Sequence, residues 1–384
     1  MKVLLITNII APYRVPVFNS LAAVADFELK VLFCARTEHD REWQMPANLN
    51  FTSEVIDSRL IRIGARRLYV SLKILARIWQ YKPDIILTGG FSVPTLYAWL
   101  YCILLNRDAR YILFGEGTIF TESGVKGIEL LLRTVLVRQS AACVAASSDA
   151  KDYFVSLGAI PESVFLSLLT TDVSRFSSVC RAMSLDVQRL RKQLGSPESI
   201  LLYSGRLTQL KGVWYLLEAF SLVRRRIDNV ALIILGSGNL EDELKRYCEQ
   251  NLIPAVHFMG FKQQDELPIY FSVADLFVFP TLLDRFGVVI VEAIAAGLPI
   301  ICSKFAGAAR DLVSHGKNGY IVDPRDTAQI AEYMAEILDD DQLRAKMGQE
   351  SINMREKCSV ERAVDGFVQA IRSTWRLRNP ILTL

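Results

Sequence analysis

The chain has 384 residues, 51% of them apolar, 10% aromatic and 22% charged. At about 150 residues per domain this is material for two ordinary cores, and it excludes disordered, collagen-like and low-complexity chains. The 44 basic and 41 acidic residues leave a net charge of only +3, too little without a concentrated basic patch to indicate a nucleic-acid partner. Seven cysteines, at 34, 102, 143, 180, 248, 302 and 358, form no C-x-x-C pair and lie mostly in apolar runs. They read as buried thiols of a reduced, cytoplasmic protein rather than as a disulfide framework or a zinc knuckle. His39, His257 and His315 show no ligand spacing, and no metal site is expected.

Met1-Lys2 leads into Val3-Leu4-Leu5-Ile6, an apolar run too short for a signal peptide. Val3–Ile6 reads as a strand, Pro16–Ala25 as helical and Glu28–Phe33 as a second strand. Between Arg59 and Lys82 lie Arg59, Arg62, Arg66, Arg67, Lys73, Arg77 and Lys82 with no acid among them. Leu68, Leu72, Leu75, Ile78 and Trp79 recur there at helical spacing. Two readings fit: a surface helix with a solvated basic face, or a patch resting on anionic lipid at the inner membrane face. Asp84–Leu87 reads as a buried strand before Gly89-Gly90. The longest apolar stretch, Val93 to Leu105, is short of the roughly 20 residues that span a bilayer. Arg110–Phe114 is a strand before Gly115-Glu116-Gly117, and Ala142–Ala145 is another. Short apolar strands alternating with helical patterns predict a parallel sheet covered on both faces.

Residues Thr170 to Ser199 read as a polar linker containing a short helix from Ser184 to Gly195. The rhythm then restarts. Strands are expected at Ile200–Ser204, Ala231–Leu235, Val256–Met259, Leu276–Phe279, Pro299–Cys302 and Tyr320–Val322. Helices are expected at about 212–226, 240–250, 287–296, 326–338, 340–355 and 359–376. The expected organisation is two doubly wound, Rossmann-like α/β domains facing a cleft. They would cover residues 1–178 and 184–358, with a terminal helix at about 359–384 packing back on the first. Ligands of open parallel sheets bind beyond the carboxyl ends of the strands.

The second domain carries the chemical signals. Ile200–Ser204 runs into Gly205-Arg206, with Lys211-Gly212 just before a helix. An arginine fork and a mobile lysine at one strand end suit a diphosphate, although solvated turn cations give the same pattern. Leu235-Gly236-Ser237-Gly238 is a second strand ending in a glycine turn, for which backbone reasons alone suffice. Asp284-Arg285-Phe286-Gly287-Val288 opens a helix that contains Glu292. The helix N-terminus offers N–H groups to an anion, and Gly287 allows close approach. Asp284 can meet ligand hydroxyls or cap the helix. Glu292 can meet a ligand or be a buried carboxylate satisfied by backbone N–H groups.

These motifs together resemble the family-4 retaining glycosyltransferases of GT-B architecture. The family's signature is an acid, seven residues and a glutamate, with Phe-Gly after the first acid; here it reads Asp284…Glu292 with Phe286-Gly287. Gly205-Arg206…Lys211-Gly212 and Gly316-Lys317-Asn318-Gly319 resemble the family as well. The opening Thr7-Asn8-Ile9-Ile10-Ala11-Pro12-Tyr13-Arg14 resembles a bacterial polysaccharide branch. The resemblance implies that Arg206 and Lys211 hold the donor diphosphate without a metal or other cofactor, and that Glu292 meets the nucleotide ribose. Asp284 would hold the transferred sugar. Phe286, Gly287 and Val288 would touch sugar and phosphates, with Gly205 and Gly236 lining the donor side and Phe261 near the base. It implies a nucleotide-sugar donor, expected to be UDP-linked, and transfer with retention. A lipid-linked saccharide for surface polysaccharide is the expected acceptor.

The chain departs from the family in three places. Asp284 stands for the usual glutamate, one methylene shorter. Pro12-Tyr13-Arg14 replaces a Gly-Gly pair, and Arg14 can meet a phosphate or form an ion pair within the fold. Phe114-Gly115-Glu116-Gly117 stands where many members place a histidine. Glu116 can serve the acceptor hydroxyl or be a surface turn, and Gly89 and Gly90 can line the same acceptor side. Two rival readings remain on the same fold, a nucleotide-sugar epimerase and a non-catalytic nucleotide-sugar-binding protein.

Overall fold

A computed structural model describes residues 1–38, 41–46, 48–63 and 66–378. His39 and the end of the expected terminal helix, 379–384, lie outside the described residues. So do the side chains of Arg62, Arg66 and Arg67 in the basic stretch. The chain divides into two compact units, Met1–Thr170 with the segment from Val360, and Thr171–Ser359.

The first unit contains strands β1 (Lys2–Thr7), β2 (Glu28–Phe33), β3 (Thr52–Val55), β4 (Arg59–Ile63), β5 (Arg66–Val70), β6 (Ile85–Gly89), β7 (Arg110–Gly115), β8 (Ala142–Ala145) and β9 (Val164–Leu166). Seven of them form one parallel sheet in the order β3-β2-β1-β6-β7-β8-β9. The alternation of side chains along β1 divides the core into two layers. Val3 and Leu5 pack with helix Val15–Ala22 and the terminal helix Val360–Arg378. Leu4 and Ile6 pack with residues of helices Leu72–Tyr81, Val93–Leu100 and Gly127–Gln139. The terminal helix is tied into this unit. Ser167 donates to the Ala363 carbonyl at 2.7 Å, and the rings of Phe114 and Phe367 meet edge to face at 5.8 Å.

The basic stretch is not one helix. Its first part is the antiparallel pair β4–β5, and only Leu72–Tyr81 is helical. Arg59-Leu60-Ile61-Arg62-Ile63 fits a strand because its β-branched residues suit a pleated surface. The helix buries Ile74 and Ile78, while Leu72 and Trp79, expected on the core face, are exposed.

The second unit contains β10 (Ser199–Ser204), β11 (Val230–Leu235), β12 (Val256–Gly260), β13 (Leu276–Phe279), β14 (Ile300–Ser303) and β15 (Gly319–Val322). They form a parallel sheet in the order β12-β11-β10-β13-β14-β15. Every residue of β10, β11, β13 and β14 is buried, which is why these strands read as unbroken apolar runs. The expected linker is mostly two helices, Val173–Ala182 and Ser184–Gln193. The first packs against helices Leu267–Val273 and Val289–Ala296, and Phe176 sets its ring edge-on to Phe271 at 5.5 Å. Residues 171–178 therefore lie with the second unit, not the first.

All seven cysteines are free thiols, six of them buried. No helix among the described residues is long and apolar enough to cross a membrane. Phe367 is buried between the terminal helix and the sheet. Phe367→Ala should cost the first unit about 3 kcal/mol, read as a lower urea midpoint. An unchanged midpoint would mean that the returning helix contributes little to this core.

Candidate functional site

The strand order of the second unit reverses between β10 and β13, where parallel sheets open a crevice at their carboxyl ends. The loops leaving these two strands are clipped together. The Leu210 carbonyl accepts from the Thr281 hydroxyl at 2.9 Å and from the amides of Leu282 and Leu283 at 2.9 and 3.2 Å. Gly212, at φ +67°, passes so close to the end of β13 that a Cβ there would stand 2.0 Å from the Pro280 carbonyl oxygen. This approach delivers Lys211 to Asp284, and Nζ bonds Oδ2 in a half-buried ion pair. Lys211 Nζ also lies 5.8 Å from the centroid of the Phe279 ring.

Asp284 does not cap the helix, which begins at Val289 behind Val288, and its carboxylate is shared between a turn and Lys211. Oδ1 accepts from the Phe286 amide at 3.0 Å, a turn-closing bond, while Oδ2 holds Lys211. Its backbone binds the loop after β14 on both sides. The Asp284 amide donates to the Phe305 carbonyl, and its own carbonyl accepts from Gly307, each at 3.2 Å. A Cβ at Gly307 would come within 2.1 Å of the Arg285 carbonyl. Sequence reasoning missed this loop, although Gly307 shortly after a buried strand was a usable signal.

Phe286 is buried, and Gly287 adopts φ +91° against the Phe279 ring. Val288 caps helix Val289–Ala296, whose first-turn N–H groups give that end a partial positive charge. One turn inside, Glu292 is 5% exposed, and its Oε2 has no hydrogen-bond partner. Burial pushes its carboxyl pKa up to about 8. The backbone satisfaction expected of a purely structural carboxylate is thus missing at Oε2.

Arg206 is exposed at the end of β10, where its carbonyl accepts from the Tyr203 hydroxyl at 3.2 Å. Gly236, at φ +125°, touches Gly205 backbone to backbone, since a Cβ would stand 2.0 Å from the Gly205 oxygen. The Gly236 amide donates to the Gly260 carbonyl at 2.9 Å, and half-buried Phe261 follows. Gly205, Gly236 and Phe261 therefore lie along the carboxyl ends of three adjacent strands, β10, β11 and β12.

In the first unit, Arg14 and Glu116 form a half-buried ion pair, Nη2 to Oε1. Arg14 lies 5.6 Å from the Phe114 ring. Burial pulls its pKa down, but Glu116 and Tyr13 outweigh that and leave it raised. Since β6 lies between β1 and β7, this pair spans the end of β6, where Gly89 and Gly90 stand. Gly90 adopts φ +63° and donates to the Phe114 carbonyl at 2.7 Å.

Glu292 makes the stability of the fold pH-dependent. Its folded pKa lies above the ordinary carboxyl value of 4.5, so between 4.5 and about 8 the folded state keeps a proton that the unfolded chain releases. This contribution to stability is complete below the unfolded value and is lost as pH rises to about 8. Glu292→Gln should flatten the melting temperature across that window, and a variant with the wild-type slope would refute the assignment.

Residues 186–354 match the family model described as glycosyl transferases group 1. A GDP-mannose-dependent alpha-(1-6)-phosphatidylinositol monomannoside mannosyltransferase of Mycobacterium tuberculosis is 34% identical over 168 residues. The match covers 42% of this chain and 43% of that protein, less than half of the relative's length. The capsular polysaccharide biosynthesis glycosyltransferase CapM of Staphylococcus aureus is 26% identical over 280 residues, 72% of this chain and 73% of CapM. HepE of Anabaena, solved in complex with UDP and glucose, superimposes with a TM-score of 0.76 at 20% identity, covering 97% of this chain and 100% of that chain. The fold class is therefore GT-B, and it is residues 186–354 that match the glycosyl transferases group 1 family.

Proposed function

We propose that the protein is a glycosyltransferase that moves a sugar, with retention, from a nucleotide-diphospho-sugar to an acceptor hydroxyl. The observation that carries this reading is the Lys211–Asp284 pair, placed before a helix N-terminus with the unsatisfied Glu292 one turn inside. A donor diphosphate would draw Lys211 from Asp284 and share it with Arg206. Asp284, released, would accept hydrogen bonds from the sugar hydroxyls. Ribose hydroxyls donating to Glu292 would favour its ionised form, so nucleotide binding would release a proton. The amides of Phe286, Gly287 and Val288 would face sugar and phosphate, with Phe261 near the base.

In the reaction the bond from the anomeric carbon to the diphosphate oxygen breaks, and a bond to the acceptor oxygen forms. Arg206 and Lys211 hold the charge that departs with the nucleoside diphosphate, so no metal is required of the site. Glu116 is the candidate to orient the acceptor hydroxyl and take its proton, with Arg14, Gly89 and Gly90 on the same edge. The name of CapM favours a polysaccharide intermediate, here a lipid-linked saccharide, as acceptor. HepE with UDP and glucose favours a UDP-sugar donor, whereas the mycobacterial relative is named for GDP-mannose.

A thermal-shift panel of UDP, GDP, TDP and ADP, each with excess EDTA, tests the donor reading. A nucleotide at 100 times its dissociation constant adds about 2.7 kcal/mol of stability. UDP should give the largest shift, and Arg206→Ala should remove it. A larger shift with GDP would replace the donor assignment, and a shift that needs added metal would refute metal independence. No shift with any nucleotide would refute the diphosphate site.

A further inference from the structure

A row of buried aromatic rings runs through the core of the second unit and ends beneath the crevice. Phe271, Phe277, Phe279 and Tyr203 stack in that order, with centroids 5.5, 6.3 and 6.3 Å apart. Three of the four are phenylalanines, which suits a core. The last, Tyr203, carries a hydroxyl although the residue is fully buried. A buried hydroxyl costs free energy unless it is bonded. Here it donates to the Arg206 carbonyl at 3.2 Å. Burial and the Asp284 carboxylate raise its pKa, against the Arg206 cation, so the hydroxyl keeps its proton and stays a donor.

The bond is not needed to satisfy its acceptor. The Arg206 carbonyl also accepts from the Thr208 amide at 3.1 Å. What the hydroxyl adds is position. A Cβ at Gly205 would stand 2.8 Å from the Tyr203 hydroxyl oxygen, and Gly236 closes on the Gly205 carbonyl. The main chain that presents Arg206 is thus held between a tyrosine and a glycine. The ring acts on the other cation. Phe279, on which Tyr203 stacks, lies 5.8 Å from Lys211 Nζ, and a Cβ at Gly287 would stand 3.0 Å from its ring.

We propose that Tyr203 is a positioning residue of the crevice. Its hydroxyl fixes the main chain of the Gly205-Arg206 turn, and its ring fixes Phe279 beneath Lys211 and Gly287. Both cations then stand preset for a diphosphate, and a ligand does not have to order the turn. The benefit to a diphosphate rests on the proposed transferase function; the hold on the turn does not.

The test compares the wild type with Tyr203→Phe, which keeps the ring and removes the hydroxyl. Tyr320→Phe is the control, since it removes a hydroxyl bond, to Glu336, elsewhere in the same unit. Amide hydrogen exchange of the free protein reads the turn. In Tyr203→Phe, residues 205–208 should exchange about three- to ten-fold faster, the worth of one hydrogen bond, with β14 and β15 unchanged. Calorimetry with UDP and GDP in excess EDTA reads the ligand. The nucleotide that binds the wild type more tightly should bind Tyr203→Phe about three- to ten-fold less tightly. The matching nucleoside, which lacks the diphosphate, should bind both alike, and Tyr320→Phe should match the wild type throughout. Wild-type exchange at 205–208 in Tyr203→Phe overturns the proposal. So does faster exchange across the whole unit, which would make the hydroxyl a general stabiliser. Nucleotide binding that Tyr203→Phe leaves unchanged overturns it as well. A wild type that binds neither nucleotide refutes the transferase reading, and the exchange result then decides the role of Tyr203 by itself.

Discussion

One carbonyl, that of Leu210, spans the reversal of strand order in the second unit. Its three donors, the Thr281 hydroxyl and the amides of Leu282 and Leu283, all come from the loop after β13. The neighbouring positions follow from that clip. Gly212 must lack a side chain because the Pro280 carbonyl occupies the space, and Lys211 must then emerge beside Asp284. Asp284 passes the constraint on through Phe305 and Gly307 to the loop after β14. Four loops, from β10, β11, β13 and β14, are thus braced by backbone contacts. The side chains that would meet a ligand are positioned by the rigid part of the fold.

The charges around this reversal are of two kinds, one paired and one not. Lys211 and Asp284 neutralise each other, which lets two half-buried charges coexist. Glu292 has no such counterpart, and an unpartnered buried carboxyl oxygen costs free energy. A fold optimised only for stability would do better with an apolar residue at that position. Local rules fail most often where a site serves a ligand, and Glu292 breaks the rule one turn inside the helix whose amides face the crevice.

The central strands were legible because parallel strands buried on both faces must be apolar throughout, and β2, β8 and β13 begin and end where the sequence places them. The edge strands β3 and β9 were not, since half-exposed positions break that signal. The hairpin β4–β5 was hidden by leucines and arginines whose spacing also suits a helix. Helix Val173–Ala182 was hidden by its serines and arginines, because its packing rests on few residues, Val173 and Phe176 among them. The motif after β13 was legible because Asp284, Phe286, Gly287 and Glu292 are local in sequence. The partners of its side chains were not: Lys211 reaches Asp284 across 73 positions and Arg14 reaches Glu116 across 102, contacts that only the strand order creates.

The first unit applies the same economy of charge to a different end. Arg133 is an expensive residue to bury, and its Nε has no partner. What it holds explains its place. By taking both Glu122 and Glu129 it ties the loop after β7 to helix Gly127–Gln139. An apolar residue at this position could fill the volume. It could not order the loop, and it would leave two carboxylates without their cation. One buried cation thus sets the position of the loop after β7 against the helix that follows it.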